Sequence, residues 1–466
     1  MNKQLFSEFD AVSAKALKQK IQYDLKGADY NDTLTWQSPE GIDVKPVYHR
    51  EDLPKTQDIP GMPEAWSVGV AVFVKNERAA GKAAKQALQK GAESIVFTAD
   101  EAFDVHELFR FVEEQELPEN SLFYFDCQFL DENFAATLMD FAAGKKIPIS
   151  LDVDIIGNLA RSGNWFYNLK EDFELLSRII SAEKPAQNRL VIDTTIYQNA
   201  GANIVQQLAY GLAHANEYLN RFEQSLSDQA LTFKVAIGSN YFFEIAKLRA
   251  LRILYAELAN LYDLPQNCHI LAFPTRRNKT VYEYNTNLLR TTTETMSAVL
   301  GGADTVVNLP YDALYHKTND FGERISRNQL LLLKEEAYFD AVTDAGAGSY
   351  YIETLTQQLA ESALKLFKQI EKSGGFLKAL KSHKIQEKIK ESAALEQQRF
   401  DDGDKVLLGI NKHPDADQQM QQELELYPFV KHNPRKTLIQ PIIPIRLAEQ
   451  MEKQRLDREK SSNSKA

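Results

Sequence analysis

Residues Phe233–Phe273 read FKVAIGSNYFFEIAKLRALRILYAELANLYDLPQNCHILAF. In this stretch a short apolar run, Phe233–Ile237, precedes a helical pattern over Phe242–Tyr262, and a second apolar run follows at His269–Phe273. Nearly continuous apolar runs of this length are typical of parallel strands that are covered on both faces, whereas half-exposed strands alternate. The stretch therefore predicts a strand, a helix and a second, parallel strand.

The same alternation extends through the middle of the chain. The predicted strands are Ser67–Val74, Ser94–Thr98, Leu122–Asp126, Ile147–Asp152, Leu190–Asp193, Phe233–Ile237, His269–Phe273 and Thr305–Asn308. The predicted helices are Arg78–Lys90, Ala102–Gln115, Glu132–Ala143, Glu171–Ala182, Ala202–Gln224, Phe242–Tyr262, Thr286–Leu300 and Arg324–Ala337. Strand followed by helix, eight times over, predicts an α/β fold of the (β/α)₈ or TIM-barrel type.

Two further segments flank the predicted barrel, which we place at residues 37–400. Residues 1–36 form an N-terminal helical arm, and residues 401–466 form a C-terminal helical extension with a charged tail, in which we expect Leu447–Ala466 to be a frayed helix and solvated. Apolar side chains of the arm are candidates for contact with a partner subunit, although they could instead pack on the chain's own barrel. These candidates are Leu5, Phe6, Phe9, Leu17 and Ile21.

Composition narrows the class of protein. The chain has 54 Lys and Arg against 65 Asp and Glu, a net charge of −11, which argues against binding to nucleic acid or to an anionic membrane. We find no secretory signal and no run of about 18 apolar residues, so we expect a cytoplasmic protein. Only Cys127 and Cys268 are present, which argues against disulfides and against a cysteine metal site.

Polar residues follow most of the predicted strands, where an enzyme of this fold would carry its active site. Carboxylates there, including Asp126, Asp152, Asp154 and Asp193, could bind a metal or act as a general acid and base. Asp and Asn in strand-to-helix turns more often cap the next helix, and we favour that interpretation. Isolated glycines such as Gly157 are interpreted as turns.

Several stretches resemble the methylmalonyl-CoA mutase family, in the family's order from residue 36 to about 412. They are Trp36–Leu53 (WQSPEGIDVKPVYHREDL), Ala246–Leu254 (AKLRALRIL), Asn287–Gly302 (NLLRTTTETMSAVLGG), Asp320–Asn328 (DFGERISRN), Asp340–Leu359 (DAVTDAGAGSYYIETLTQQL) and Asp402–Lys412 (DGDKVLLGINK). The start, Leu5–Tyr30, is similar to the N-terminal arm of the bacterial small subunit of that enzyme. The resemblance implies a barrel with substrate threaded along its axis and an adenosylcobalamin cofactor held by a separate domain.

The chain departs from the family pattern where the chemistry occurs. The strand-five motif G-Y-H-x-Q-E-A-G-A falls on residues 194–202, which places Thr195 and Ile196 at the Tyr and His positions and keeps Gln198. At strands seven and eight the expected polar side chains are replaced by Leu271, Phe273 and Val307. The apolar replacements can neither polarise a thioester carbonyl nor transfer a proton, and we interpret all six positions, Thr195 and Gln198 included, as vestigial.

The cobalamin motif D-x-H-x-x-G has one near match, at Asp104–Phe109, with Phe109 at the glycine position. We expect His106 to be a surface or packing residue, and we expect this chain to have no cobalamin-binding domain, no cofactor and no metal of its own. The resemblance then implies a non-catalytic small subunit that stabilises a large catalytic subunit in a heterodimer. The large subunit would hold adenosylcobalamin and interconvert methylmalonyl-CoA and succinyl-CoA.

Two alternatives stay open. The chain could be the catalytic barrel of an acyl-CoA mutase of the isobutyryl-CoA type, working with a separate cobalamin-binding chain. It could also be an independent barrel enzyme that uses the carboxylates at the strand ends.

Overall fold

The computed structural model describes residues 7–53, 58–112, 121–182, 186, 189–226, 230–431 and 434–463. Eight parallel strands form one sheet in the order β4-β3-β2-β1-β8-β7-β6-β5. They are β1 Ser67–Phe73, β2 Ser94–Ala99, β3 Leu122–Cys127, β4 Ile149–Leu151, β5 Val191–Asp193, β6 Thr232–Ile237, β7 His269–Pro274 and β8 Thr305–Val307. The predicted (β/α)₈ barrel is confirmed, and all eight strands lie within two residues of their predicted bounds.

The barrel closes between β4 and β5. The Val191 amide donates to the Val153 carbonyl at 3.3 Å, and the Asp193 amide donates to Asp154 Oδ2 at 3.0 Å. A side chain thus supplies part of the pairing at this seam, because the strands on either side are only three residues long.

Helices cover the outside of the barrel and continue after its last strand. They are α1 Ala14–Asp24, α2 Tyr30–Leu34, α3 Glu77–Gln89, α4 Val105–Val112, α5 Glu132–Lys145, α6 Ile155–Ser162, α7 Leu169–Ile180, α8 Thr195–Asn199, α9 Ile204–Phe222, α10 Tyr241–Asn260, α11 Thr286–Leu300, α12 Asp320–Leu331, α13 Tyr350–Lys372, α14 Phe376–Lys381, α15 Lys384–Asp401 and α16 Glu449–Asn463. A two-stranded antiparallel pair joins Trp36–Gln37 to Asp43–Val44, short 3₁₀ turns span Arg50–Asp52 and Glu223–Leu226, and a π-helical turn spans Leu332–Glu336.

Two short helices, α6 and α8, are absent from the sequence prediction because neither is long enough to show a helical period. The interpretation of Gly157 as a turn is wrong. It lies in the first turn of α6, where its amide donates to the capping Asp154 side chain at 2.7 Å and a Cβ would collide with that carboxylate. Among the described residues, no helix is both long and apolar enough to span a membrane.

Strand β6 shows how the core is divided. Phe233, Val235 and Ile237 point outward into the large apolar cluster beneath the helices, whereas Lys234 and Ala236 border the barrel mouth. Helix α10, which follows β6, is buried on nearly all faces because it packs against α9, α11 and α13. The apolar character of Tyr241–Asn260 therefore reflects burial among helices as well as contact with the sheet.

The two flanking segments differ in how they pack. None of the described residues of the arm helix α1 is buried. The C-terminal helix α16, in contrast, buries Glu452 and Leu456, and Glu452 accepts a hydrogen bond from the Val281 amide at 2.7 Å. The expectation of a solvated tail is therefore wrong for one face of α16, because Glu452 binds the Val281 amide and pairs with the buried Arg446, which in turn donates to the Lys279 carbonyl at 3.1 Å.

Candidate functional site at the barrel mouth

The barrel axis is filled by apolar side chains at mid-height. Val96, Leu122, Tyr124, Leu271 and Val307 are all at most 7% exposed and form one cluster, against which Phe273 packs. At Gly69 on β1, a Cβ would approach Val307 Cγ2 to 2.7 Å, so the axis has no spare room at this level. This layer closes the interior of the barrel, as packed layers do in barrels of this fold.

Tyr124 links the layer to the lower end of the barrel. Its hydroxyl lies 2.6 Å from Nε2 of His269 and 2.7 Å from Oγ1 of Thr305. Burial raises the pKa of Tyr124 well above its usual value, so the phenol stays neutral and serves as a fixed hydrogen-bonding group. As the sequence predicted, His269 opens its strand, at the end opposite the mouth.

Above the apolar layer lies a charged layer. Lys234 forms an ion pair with Asp126 and lies 3.9 Å from Asp193, whose Oδ1 accepts from the Thr195 hydroxyl at 2.5 Å. Burial alone would lower the pKa of Lys234, but the attraction of Asp126 and Asp193 outweighs it and raises that pKa. The lysine therefore remains charged inside the barrel.

Asp152 completes this layer and is 3% exposed. Its Oδ1 accepts from the Ser150 hydroxyl at 3.2 Å, while its Oδ2 has no hydrogen-bond partner among the described residues. Burial raises the pKa of Asp152 to about 7, and repulsion from Asp126 adds to this effect. A carboxyl group that titrates near neutral pH therefore lies beneath the barrel mouth.

A cavity of about 640 Å³ opens above this layer, at the C-terminal ends of the strands. Its floor includes Asp126, Lys234 and Phe273, and its rim includes Arg276 and Arg327. The Lys234 amine lies 5.3 Å from the centroid of the Phe273 ring, so the aromatic face covers the buried cation.

The six positions interpreted as vestigial lie in three places. Leu271, Phe273 and Val307 meet in the apolar layer, and Thr195 borders the cavity. Ile196 instead belongs to the main core, and Gln198 accepts a hydrogen bond from the Thr275 hydroxyl at 2.7 Å. The structure thus brings four of the six positions to the barrel axis and its mouth.

Two largely buried cations that line the mouth cavity, Lys234 and Arg327, were not among the predicted site residues. Lys234 interrupts an otherwise apolar run and Arg327 lies within a helical pattern. The only signal was a charge within a buried strand pattern, which requires a partner.

Of the four strand-end carboxylates named above, Asp154 caps the following helix, as favoured, whereas Asp126, Asp152 and Asp193 belong to the charged layer. Asp154 Oδ1 caps α6 and accepts from the Tyr218 hydroxyl at 2.7 Å, and it lies 2.9 Å from Nε2 of His214. The other nitrogen of His214 lies 2.9 Å from the Tyr197 hydroxyl. Among the described residues, no group of three or more His, Cys, Asp or Glu is arranged to hold a metal ion.

The candidate contact residues of the arm lie outside the core. Leu17 and Ile21 line an open groove of about 1010 Å³ between α1 and residues 30–52, and Phe9 is 68% exposed. Leu5 and Phe6 fall outside the described residues.

Comparison with known proteins decides the family. The family model described as methylmalonyl-CoA mutase matches residues 136–456, more than half of the chain. The chain belongs to the methylmalonyl-CoA mutase family. It is 35% identical to the methylmalonyl-CoA mutase small subunit of Porphyromonas gingivalis, over 88% of this chain and 71% of that one.

Two other relatives agree with this assignment. The methylmalonyl-CoA mutase of Cereibacter sphaeroides is 30% identical, over 85% of this chain and 64% of that one. The small subunit from Propionibacterium freudenreichii subsp. shermanii is 29% identical, over 76% of this chain and 59% of that one. The chain thus spans between 59% and 71% of the length of these three relatives.

Membership of the methylmalonyl-CoA mutase family implies an isomerase reaction that depends on adenosylcobalamin. The near match to the cobalamin motif in this chain does not fit that cofactor. Asp104 caps α4 through the amides of His106 and Glu107, and the exposed His106 ring packs edge-on against Phe141 at 5.0 Å between centroids. Phe109, at the glycine position, is fully buried among aromatic rings.

Proposed function

We propose that this chain is the non-catalytic small subunit of a heterodimeric, cytoplasmic methylmalonyl-CoA mutase. In this proposal a large catalytic subunit holds adenosylcobalamin and interconverts methylmalonyl-CoA and succinyl-CoA. The present chain stabilises that subunit and holds no cofactor.

The apolar layer across the barrel carries the proposal. A substrate threaded along the axis would have to displace Leu271, Val307 and Tyr124, and the Tyr124 hydroxyl is held by two hydrogen bonds. Displacing two buried aliphatic side chains would cost roughly 3–6 kcal/mol of burial energy alone. Neither aliphatic chain offers a donor to a thioester oxygen, so the layer supplies neither a channel nor an oxyanion site.

The arm supports the second half of the proposal, contact with the large subunit. Leu17 and Ile21 face an open groove rather than the barrel core and are only half-buried, so the described part of the chain covers the apolar stripe of α1 incompletely. We assign residues 1–36 as the interface arm, 37–400 as the barrel and 401–466 as the extension. Leu5, Phe6 and Phe9 join Leu17 and Ile21 as proposed contacts.

Co-expression tests the proposal. The chain is expressed alone, with a large mutase subunit and with a cobalamin-domain protein, and each fraction is assayed for mutase turnover and for corrinoid absorbance. We expect turnover only where the large subunit is present, and no corrinoid absorbance from this chain expressed alone. Turnover with the cobalamin-domain protein alone would favour the isobutyryl-CoA type of enzyme and would contradict a non-catalytic role.

The arm is tested separately, so that a failed interface is distinguished from an active barrel. The double substitution Leu17→Asp and Ile21→Asp should prevent co-purification with the large subunit without lowering the melting temperature of this chain. Gln19→Asp, on the opposite side of α1, is the matched control and should leave the complex intact. Equal retention of the large subunit by both variants would refute the assigned contacts.

A further inference from the structure

The mouth cavity is lined by a buried arginine that forms no hydrogen bond or ion pair with the described residues. Arg327, on α12, is 7% exposed, and its Nε is fully buried without a hydrogen bond to any described residue. Arginine does not lose its charge in proteins, so this guanidinium is a buried cation, which Glu323 attracts without pairing with it. Truly unpaired buried charges are rare because desolvation costs several kcal/mol, on the order of the stability of a whole domain.

A second arginine, Arg276, borders the same cavity from the loop that follows β7. The backbone amide of Arg276 donates to Asn199 Oδ1 at 2.9 Å, but no hydrogen bond or ion pair joins its guanidinium to the described residues.

The carboxylates around the cavity do not neutralise these two arginines. Asp126 is paired with Lys234, and Asp312 lies 3.2 Å from Nδ1 of His316 and accepts from Asn319 at 2.7 Å. Glu323, which also lines the cavity, has no ion pair with Arg327 within 4.0 Å. Burial, reinforced by Asp320, raises the pKa of Glu323, and the attraction of Arg327 opposes this rise.

Part of the lining is apolar and suits the carbon skeleton of an organic ligand. Phe73, Phe273, Pro310 and Leu426 contribute to the walls. The volume, about 640 Å³, lies within the range of about 300–1,000 Å³ that is usual for small-molecule sites. Small-molecule sites usually combine apolar walls with a few charged or polar groups that point into the pocket.

We propose that the barrel mouth binds a small organic anion, whose carboxylate or phosphate oxygens are received by Arg276 and Arg327 and whose apolar part lies against Phe273. The proposal concerns binding alone and assigns no reaction to the ligand. This proposal is independent of the subunit role, because it concerns a site within this chain.

Calorimetric titration of the full-length chain tests the proposal with glutarate, inorganic phosphate and the uncharged analogue glutaramide. We expect a dissociation constant in the millimolar range or tighter for glutarate, phosphate or both, and none for glutaramide. Which of the two binds identifies the carboxylate or the phosphate as the recognised group. Absence of binding by both, or equal binding of glutaramide, would overturn the proposal.

Two variants and a control locate the site. Arg327→Met and Arg276→Gln should each weaken anion binding by roughly 10-fold or more, the effect of removing a charged hydrogen bond. Arg110→Gln, an exposed arginine on α4, should bind as the parent chain does. Undiminished binding by both cavity variants would place the anion elsewhere.

Stability provides a readout that does not depend on binding. Because Arg327 is buried without a hydrogen bond or ion pair from the described residues, Arg327→Met should melt at a higher temperature than the parent chain without ligand, and glutarate should no longer raise its melting temperature. A lower melting temperature of Arg327→Met would show that the guanidinium is already compensated within the fold. In that case Arg276→Gln, which changes an exposed side chain, still decides whether anions bind at the mouth.

Discussion

Asp152→Asn should stabilise the protein, and more so at higher pH. In the folded chain the pKa of Asp152 is about 7, against a usual value of 3.8. A carboxyl group whose folded pKa is raised favours folding in its protonated form. Its contribution is therefore fully retained below the unfolded pKa, near 4, and is lost as the pH rises toward 7.

The magnitude follows from the size of the shift. One pKa unit corresponds to about 1.36 kcal/mol, so a shift of about three units sets an upper limit of about 4 kcal/mol. Between pH 5 and pH 8 the linkage relation gives roughly 2–3 kcal/mol of that loss, because at pH 5 the unfolded chain already ionises while the folded chain does not. Asn occupies nearly the same volume and does not ionise, so it removes this loss.

Urea unfolding of the parent chain and of Asp152→Asn at pH 5 and pH 8 measures the effect. We expect the free energy of unfolding of the variant, relative to the parent, to increase by roughly 2–3 kcal/mol between the two pH values. Asp100→Asn, at the exposed end of β2, is the control and should show no comparable change. An equal difference at both pH values, or a variant that loses stability at pH 8, would refute the reasoning.

Three further substitutions test other parts of the fold. Asp154→Ala removes the acceptor of four hydrogen bonds at the barrel seam and should lower the free energy of unfolding by about 3–5 kcal/mol in urea titrations; a loss below about 1 kcal/mol would contradict this role. Glu452→Ala leaves Arg446 buried and unpaired, so limited proteolysis should release α16 before the barrel is cut, and simultaneous cleavage would count against a separate anchor. Gly69→Ala places a methyl group 2.7 Å from Val307 Cγ2 and should cost about 1–3 kcal/mol in thermal melts, whereas an unchanged melting temperature would show that the apolar layer is loosely packed.

Much of the fold follows from local sequence alone. Buried parallel strands such as Phe233–Ile237 and the helix after them differ in period and length, so their order could be predicted without any knowledge of contacts. The family resemblance likewise depended on contiguous stretches such as Asn287–Gly302, and the comparisons confirmed it. The short helix α8 was missed because five residues do not complete two helical turns.

The candidate site was harder to predict, because it depends on which face of each strand points inward. A strand that is apolar on both faces does not reveal its orientation in the sequence, since the side-chain period of two is masked. Lys234 meets Asp126 across 108 residues, and Asp154 meets His214 across 60. Such distant pairs have no local signature.

The sequence by itself thus determined the barrel, its eight strands and the family, because each is encoded in short, contiguous patterns. Only the tertiary structure decided that Leu271, Val307 and Tyr124 close the barrel axis and that the apolar stripe of α1 is only partly covered. It alone also buried the Nε of Arg327 without a hydrogen bond from the described residues, because burial and pairing are properties of the packed chain and not of any segment within it.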